Sequence, residues 1–336
     1  MTIRPLLQKY LDKLDYFLYK NKLVIGKRPY TWCSIPVPND YPRQSQTHPS
    51  VLFFSEKWNG YHYWLATTPY PYGDIRYENP CIYKSNDAIN FLPITRNPIL
   101  DYPGDSAYNS DPELFFFEDK LYCIVRENDN KNHLREIKLL FSHNGNDWSL
   151  PKTLYVSNDE NRQLLSPSYI KFKDYHFIFF LNGDAGIGRN GKCVGIEIIA
   201  SKDLEGTFNL FTFGNFINKN EVNIEPWHFD LFEYDDQLYM ILCGRDKSKT
   251  TIRNPMFTYL AVSNDYINFK IFPKPIIYYL KSYRPSAYID NNGVLHILFS
   301  IIGSFLKDNS DRNIAHTSVP FIDLLNELNK ENIIPE

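Results

Sequence analysis

Five short polar segments carry the residues of this chain whose types could do chemistry. Each directly precedes an apolar run, and they recur at intervals of 55 to 63 residues. Their paired members are His48 and Ser50, Asp111 and Glu113, Ser166 and Ser168, His228 and Asp230, and Arg284 and Ser286. Histidine titrates near neutrality, and confined carboxyl groups drive one another to different pKa values. Brought together, these side chains could carry out acid–base chemistry.

The elements that must position these segments follow the same order in every repeat. An apolar strand leads through a tight polar turn into a second, aromatic strand, which is a hairpin signal. A third strand then ends in a polar turn followed by an aromatic residue, as in Asn144-Gly145 with Trp148 or Asn264-Asp265 with Phe269. Four antiparallel strands repeated five times predict an all-β fold, a five-bladed β-propeller.

The chain ends are predicted to differ from the repeats. Residues 4–20 show apolar positions at helical spacing, so residues 1–45 are interpreted as an N-terminal helical cap and lead-in packed on the propeller. Residues 46–320 form the propeller, and 321–336 form a helical tail. The last repeat has a third strand near 314–317 but no fourth, which we expect residues 23–25 to supply, closing the ring.

Composition limits the partners and the compartment. A net charge of −3 offers no basic field, so neither nucleic acid nor an acidic membrane is expected as a partner. The five cysteines are isolated and odd in number, which favours free thiols in a reducing compartment. The sequence shows neither a leader nor a membrane span, which predicts a soluble, cytoplasmic protein; its oligomeric state is left open.

Propeller geometry then predicts which side chains converge. First strands line the central channel, and second strands return to its mouth, where they would deliver Arg126 and Glu127 from one repeat and Arg245 and Asp246 from another. Tyr108, Trp227 and Tyr283 each precede a channel residue by no more than three positions and could stack on sugar rings. A channel that is polar for packing reasons alone is the structural alternative.

The five repeats, the Ser-Asp-Pro start of the second and the Asn-Gly…Trp turn resemble the propeller superfamily that contains the arabinosidase and xylosidase family (glycoside hydrolase family 43) and the invertase and levansucrase families. The resemblance covers residues from about 46 to 318. It implies three catalytic carboxylates at the channel ends of blades one, two and three. Asp111 matches the second, whereas His48 and Ser166 stand at the first and third positions.

The resulting hypothesis is a carbohydrate-active enzyme, a glycoside hydrolase acting on a glycan or surface-polysaccharide precursor. The candidate catalytic residues are Asp111, His48, His228, Glu113 and Asp230. The candidate substrate-binding residues are Arg284, Arg126, Glu127, Arg245, Asp246, Tyr108, Trp227, Tyr283 and Ser166. Alternatives are a polysaccharide lyase or phosphodiester-cleaving enzyme that relies on histidine and arginine, and a glycan-binding propeller without catalysis. No cofactor is predicted, and no metal, because His48, His228, Asp111 and Asp230 have no compact ligand spacing.

Overall fold

A computed structural model describes residues 30–104, 106–159, 162–183, 192–247, 256–277, 282–302 and 312–330. These residues form five four-stranded antiparallel sheets, four of them built from consecutive strands and the fifth completed by a strand from the N-terminal part of the chain, so the fold is an all-β five-bladed propeller as predicted. The predicted N-terminal helix and residues 23–25 lie outside the described residues.

The blades contain strands β1 to β20 in chain order. Blade one contains β2 (Gln46–Trp58), β3 (Tyr61–Pro69), β4 (Cys81–Ser85) and β5 (Leu92–Pro93). Blade two contains β6 (Ala107–Phe117), β7 (Lys120–Asp129), β8 (Leu134–Ser142) and β9 (Lys152–Ser157). Blade three contains β10 (Leu165–Phe172), β11 (Tyr175–Gly183), β12 (Cys193–Ser201) and β13 (Asn209–Gly214). Blade four contains β14 (Ile224–Tyr234), β15 (Gln237–Asp246), β16 (Met256–Ser263) and β17 (Lys270–Ile271).

Blade five closes the ring with a strand from the other end of the chain. It contains β18 (Ser282–Ile289), β19 (Val294–Ile302), β20 (Arg312–Pro320) and, outermost, β1 (Thr31–Trp32). In β1, Thr31 pairs with His316 and Trp32 with Ala315. A strand from the N-terminal part of the chain, Thr31–Trp32, therefore completes the last blade.

Helices are few among the described residues. Two single 3₁₀ turns, Pro71–Gly73 and Ile75–Tyr77, lie in the connection between β3 and β4, and the short helix α1 (Lys219–Val222) precedes β14. The helix α2 (Phe321–Lys330) occupies the predicted helical tail and buries Phe321 against Phe232 and Tyr239 of blade four. None of these described helices is long and apolar enough to cross a membrane.

Aromatic side chains fill the space between blades and explain the composition. Phe115 of blade two stacks on Tyr169 of blade three with ring centroids 3.7 Å apart. Between blades one and two, Phe116 packs edge-on against Phe54 and Trp58. Aromatic pairs of this kind contribute about 0.5–1.5 kcal/mol beyond the area they bury. Stacking between neighbouring sheets thus holds the channel walls in place.

All five cysteines are free, as predicted. Four are fully buried and Cys33 is half-buried. Burial raises the pKa of the Cys33, Cys193 and Cys243 thiols to about 12, so they are inert as nucleophiles.

Candidate active site

The channel residues sit on β-bulges that recur in all five first strands. The register shifts between Thr47 and Ser50 in β2 and at the corresponding points of β6, β10, β14 and β18. The bulged residues His48, Asp111 and Ser166 have φ values of 53°, 51° and 53°. A non-glycine residue in this left-handed region is uncommon and signals a functional or structural constraint. The bulges separate the channel residues into two tiers.

Asp111 is the centre of the upper tier and is fully buried. Its Oδ2 lies 3.2 Å from Arg126 Nη2 and accepts a hydrogen bond from the Ser166 backbone amide at 3.3 Å. Its Oδ1 lies 3.5 Å from His48 Nε2 and 3.7 Å from His228 Nδ1. Arg284 Nη1 is 3.2 Å from the same oxygen but is not aligned for a hydrogen bond, so within the described chain Oδ1 has no hydrogen-bond partner.

The two histidines are held in place by hydroxyl groups. Nδ1 of His48 hydrogen-bonds with Thr68 Oγ1 at 2.8 Å, and Nδ1 of His228 with Ser166 Oγ at 2.6 Å. The hydroxyl of Tyr283 lies between the two rings, 3.1 Å from His48 Nε2 and 2.9 Å from His228 Nε2. Two imidazoles, one phenol and one carboxylate thus converge at the channel axis.

Burial and the arginines set the protonation states of this tier. Burial favours the neutral imidazole and lowers the pKa of His48 well below its ordinary value and that of His228 to about 3. Burial by itself would raise the pKa of Asp111, but Arg126, the histidines and Arg284 together hold it well below its ordinary value. Asp111 is therefore ionised and both histidines are neutral at neutral pH.

The lower tier consists of Ser50, Glu113, Ser168, Asp230 and Ser286, and it joins the blades around the axis. At four blade junctions, the backbone amide that follows a lower-tier residue donates to the lower-tier side chain of the preceding blade. The pairs are Val51 to Ser286, Leu114 to Ser50, Leu231 to Ser168 and Ala287 to Asp230. Glu113 in addition accepts from Ser50 and Ser168, on both sides. Burial and the nearby Asp230 carboxyl raise the pKa of Glu113 well above its ordinary value.

Arg284 connects the two tiers from a fully buried position. Its Nη1 faces Asp111, and its Nη2 donates to the Pro112 carbonyl at 3.0 Å and lies 3.7 Å from Glu113. All of its surface is covered by protein, so it stabilises Asp111 from below and does not present a free guanidinium to substrate.

The remaining predicted residues occupy different positions. Trp227 packs against His228 and Tyr283, with ring centroids 5.3 and 4.9 Å apart, and stays half-buried. Tyr108 is half-buried. Burial raises the pKa of its phenol, and the charges of Arg126 and Asp111 lower and raise it, respectively. Arg245 and Asp246 are half-buried at the end of β15.

Glu127 does not join the cluster. Because strand side chains alternate, it points away from the face that carries its neighbour Arg126 and pairs with Lys138 of β8. The sequence places Glu127 in the site because it follows Arg126. In the sheet, however, the side chain of Glu127 lies on the opposite face from that of Arg126.

Two charged residues of the site lie outside the sequence-predicted set. Glu78, in the connection from β3 to β4, lies 3.2 Å from His48 Nδ1, and burial raises its pKa to about 8. Arg312, at the start of β20, lies over the rings of Tyr70 and Tyr283 at 4.2 and 5.0 Å. Neither belongs to the repeated segments, so the repeat carried no signal for them.

The upper tier has the donors of a divalent-cation site. Ligand atoms of His48, Asp111 and His228 all lie within 4.8 Å of one another. Neutral imidazoles and an ionised carboxylate are the forms that bind a metal, and Asp111 Oδ1, which accepts no hydrogen bond from the described residues, faces both imidazoles. The tertiary structure thus supplies the compact spacing that the sequence lacks.

Comparison with known proteins agrees with the architecture. No protein-family model matches the chain. An A type blood N-acetyl-α-D-galactosamine deacetylase from Flavonifractor plautii is 24% identical over 331 aligned positions, which cover 81% of this chain. The chain spans 42% of that relative's length.

Solved structures extend the likeness to the fold. The crystal structure of an N-acetylgalactosamine deacetylase from F. plautii in complex with blood group B trisaccharide superposes with a TM-score of 0.74 at 20% identity, covering 89% of this chain and 96% of that one. A thermostable family-43 glycoside hydrolase superposes with a TM-score of 0.56 at 13% identity, covering 82% and 89%. The chain thus shares its overall fold with these two enzymes. The resemblance predicted from the repeat is thereby confirmed at the level of architecture.

Proposed function

We propose that this protein is a hydrolase that acts on a glycan in the central channel and removes an N-acyl group from an amino sugar. The observation that carries the proposal is the cluster of His48 and His228 around Asp111 Oδ1, an oxygen that accepts no hydrogen bond from the described residues. Family-43 enzymes need carboxylates from blades one and three, and here those positions hold His48 and Ser166. The likeness to a sugar deacetylase supports amide cleavage over glycosidic cleavage.

The chain's own residues would prepare this reaction in stated ways. Arg126 and Arg284 hold Asp111 ionised, while Thr68 and Ser166 orient the two imidazoles. His48, Asp111 and His228 would hold a divalent cation, and the chemistry supplied by such an ion is polarisation of the amide carbonyl oxygen. The half-buried ring of Trp227 beside His228 offers an apolar face for the sugar ring.

The test is an assay of acetate release from oligosaccharides that contain N-acetylated amino sugars, with mass spectrometry to separate loss of acetyl from cleavage of the chain. We expect Asp111→Asn to reduce acetate release by at least about 100-fold, the size of effect typical for a lost charged active-site group. Asp101→Asn, at a carboxylate 79% exposed on the surface, is the matched control and should retain activity. Removal of divalent ions with a chelator should abolish the activity, and adding back Zn²⁺ or Mn²⁺ should restore it.

Hydrolysis of a glycosidic bond is the second candidate. The observation that favours it is that Glu78 and Asp111 approach opposite nitrogens of the His48 ring, so an imidazole separates two buried carboxyl groups. Two separated carboxyl groups are what glycoside hydrolysis requires. Shortened oligosaccharides that keep their acetyl groups would establish this candidate and contradict the first. The lyase hypothesis is weakened because Arg284 is fully covered, and absence of any product would favour binding without catalysis.

A further inference from the structure

Exposed apolar side chains are concentrated on the outer rim of blade three. Among the described residues, thirteen large apolar residues are exposed, and seven of them belong to this blade or to the connection directly after it. The seven, here called the rim patch, are Phe172, Tyr175, Val194, Leu210, Phe211, Phe213 and Ile217. Single exposed apolar residues are ordinary, but a concentration of them marks an interaction surface.

The outermost strand of blade three differs from those of the other blades. The strands β5, β17 and β1, which end blades one, four and five, contain two residues each. The strand β9 of blade two is longer but begins with the exposed Lys152. In contrast, β13 is six residues long and contains neither a charged residue nor a proline. Short length, lysine and proline are devices that protect edge strands from pairing with another chain, and β13 has none of the three.

Apolar side chains flank the outer edge of β13 on both faces of the sheet. Leu210 is opposite Ile199, which packs between blades two and three, and Phe213 lies on the same face. A register shift at Phe211 turns that ring to the other face, where it meets Phe177 edge-on with ring centroids 5.2 Å apart. No backbone hydrogen bond from another described segment reaches the outer edge of residues 209–213. The edge is therefore open and apolar.

The rim patch is large enough for a stable interface between two folded proteins. A fully exposed large apolar residue presents about 180 Å², and weighting by the exposed fractions gives the patch about 650 Å². A standard interface covers about 800 Å² on each partner, and roughly 60% of that area is apolar. Each partner then contributes about 500 Å² of apolar surface, which is less than the patch provides.

We infer that the rim patch is the interface of a symmetric homodimer in which the β13 strands of two copies lie antiparallel. Antiparallel strands pair around a two-fold axis, so one surface serves both copies. Because β13 carries no charge, the two edges meet without like-charge repulsion. The channels of the two copies then point in opposite directions, and their mouths stay open because β13 lies on the outside of its blade. This inference is independent of the proposed function.

Sedimentation of the full chain over a range of concentrations tests the dimer. We expect the wild type to sediment at twice the mass of one 39.6 kDa chain and to dissociate on dilution. A single chain at all concentrations up to about 100 μM, where any dimer with a micromolar Kd is populated, would overturn the inference. A mass that keeps rising beyond two chains would also contradict it, since a two-fold contact closes.

Charged substitutions on β13 assign the contact to the rim patch. Leu210→Glu and Phe213→Glu each bury a carboxylate in the interface and should raise the Kd of dimerisation at least about tenfold. The wild-type side chains are exposed in the single chain, so urea unfolding of each variant at low concentration should match the wild type. Leu150→Glu makes the same change at a residue that is 89% exposed, between β8 and β9, and should keep the wild-type Kd. A wild-type Kd in both β13 variants would refute this interface.

Hydrogen exchange distinguishes a second copy from a cover supplied by the chain itself. The amides of β13 that face away from β12 should become more protected as the concentration rises through the Kd. Phe213→Glu should lose this concentration dependence over the same range. Protection that is strong and equal at all concentrations would mean that another part of the same chain covers the edge, and it would overturn the dimer.

Discussion

Single ionisable residues in the channel are assigned opposite protonation states by their neighbours, although all are buried. Asp111 faces two guanidinium groups and keeps its charge, whereas burial and the neighbouring Asp230 raise the pKa of Glu113. Because Arg284 lies near both carboxyls, the difference is made by Arg126, which pairs with Asp111, and by Asp230, which opposes the charge of Glu113. The carboxyl groups differ in pKa as expected from confinement. Ionised Asp111 lies beside both histidines, whereas Glu78, whose pKa is raised to about 8 by burial, lies beside His48 alone.

A second histidine pair, on blade five, makes the stability of the fold depend on pH. His316 Nε2 lies 3.0 Å from His296 Nδ1, and His296 in turn contacts Asp290. Burial and the neighbouring His296 lower the pKa of His316 to about 4. Between its ordinary pKa and that value, the unfolded chain takes up a proton that the folded chain refuses. The free energy of unfolding must therefore fall as the pH falls through this window.

We predict that His316→Asn removes about 1–2 kcal/mol of the stability difference between pH 7 and pH 5, after allowance for the partial exposure of the ring. Urea unfolding at the two pH values measures it. His143→Asn, on the exposed turn after β8, is the control and should show the wild-type difference. An unchanged difference in His316→Asn would show that other groups cause the pH dependence.

At the scale of elements, the turn after the third strand follows one hydrogen-bond pattern in blades one, two and four. In blades one and four, an aspartate accepts hydrogen bonds from the backbone amides two and three residues later, as Asp87 does from Ile89 and Asn90 and Asp265 from Ile267 and Asn268. In blade two the turn uses Asn144 in the same way, followed by Gly145. The Asn-Gly…Trp motif is thus a turn that packs against the neighbouring blade, and its role is structural.

Gly145 has a packing role beyond its backbone conformation. Its φ is +75°, and a Cβ there would overlap the six-membered ring of buried Trp64 in blade one. We predict that Gly145→Ala lowers the free energy of unfolding by about 3 kcal/mol, because strain and overpacking add. Gly293→Ala is the matched control, since φ is +72° but no atom lies within 4 Å of the added methyl group. It should cost about 1 kcal/mol, and equal losses in the two variants would exclude the contact with Trp64 as the cause.

At the scale of the whole molecule, the propeller is a closed ring whose last junction is made by a short strand. Beyond β1, the amide of Cys33 donates to the Ile314 carbonyl at 2.9 Å and so extends the pairing with β20. The lower tier makes a second ring of hydrogen bonds close to the axis. The strand pairing at β1 and the hydrogen bonds of the lower tier both hold together channel residues that come from blades distant in sequence.

We predict that Cys33→Pro, which removes this donor, lowers the free energy of unfolding by about 2–3 kcal/mol and increases amide exchange along β20. Cys33→Ala keeps the amide and should cost clearly less. Hydrogen exchange followed by mass spectrometry, together with urea unfolding, makes the comparison. Wild-type protection of β20 in Cys33→Pro would mean that the closing strand does not stabilise the ring.

The sequence by itself determined the number of blades, the strand order and the positions of the channel residues. These follow from local patterns, because strand periodicity and turn residues repeat in every blade. It also indicated that His48, Asp111, His228 and Tyr283 belong to one site, since all four lie at or next to the same point of the repeat.

The tertiary structure alone decided what that site can do. It brought Glu78 to His48 and Arg312 to Tyr283 from outside the five repeated polar segments, and it turned Glu127 away from Arg126. It also covered Arg284 completely. Distances across a channel depend on how five sheets close around an axis. No spacing along one chain encodes them, so the ligand geometry and the pKa shifts became visible only in the folded molecule.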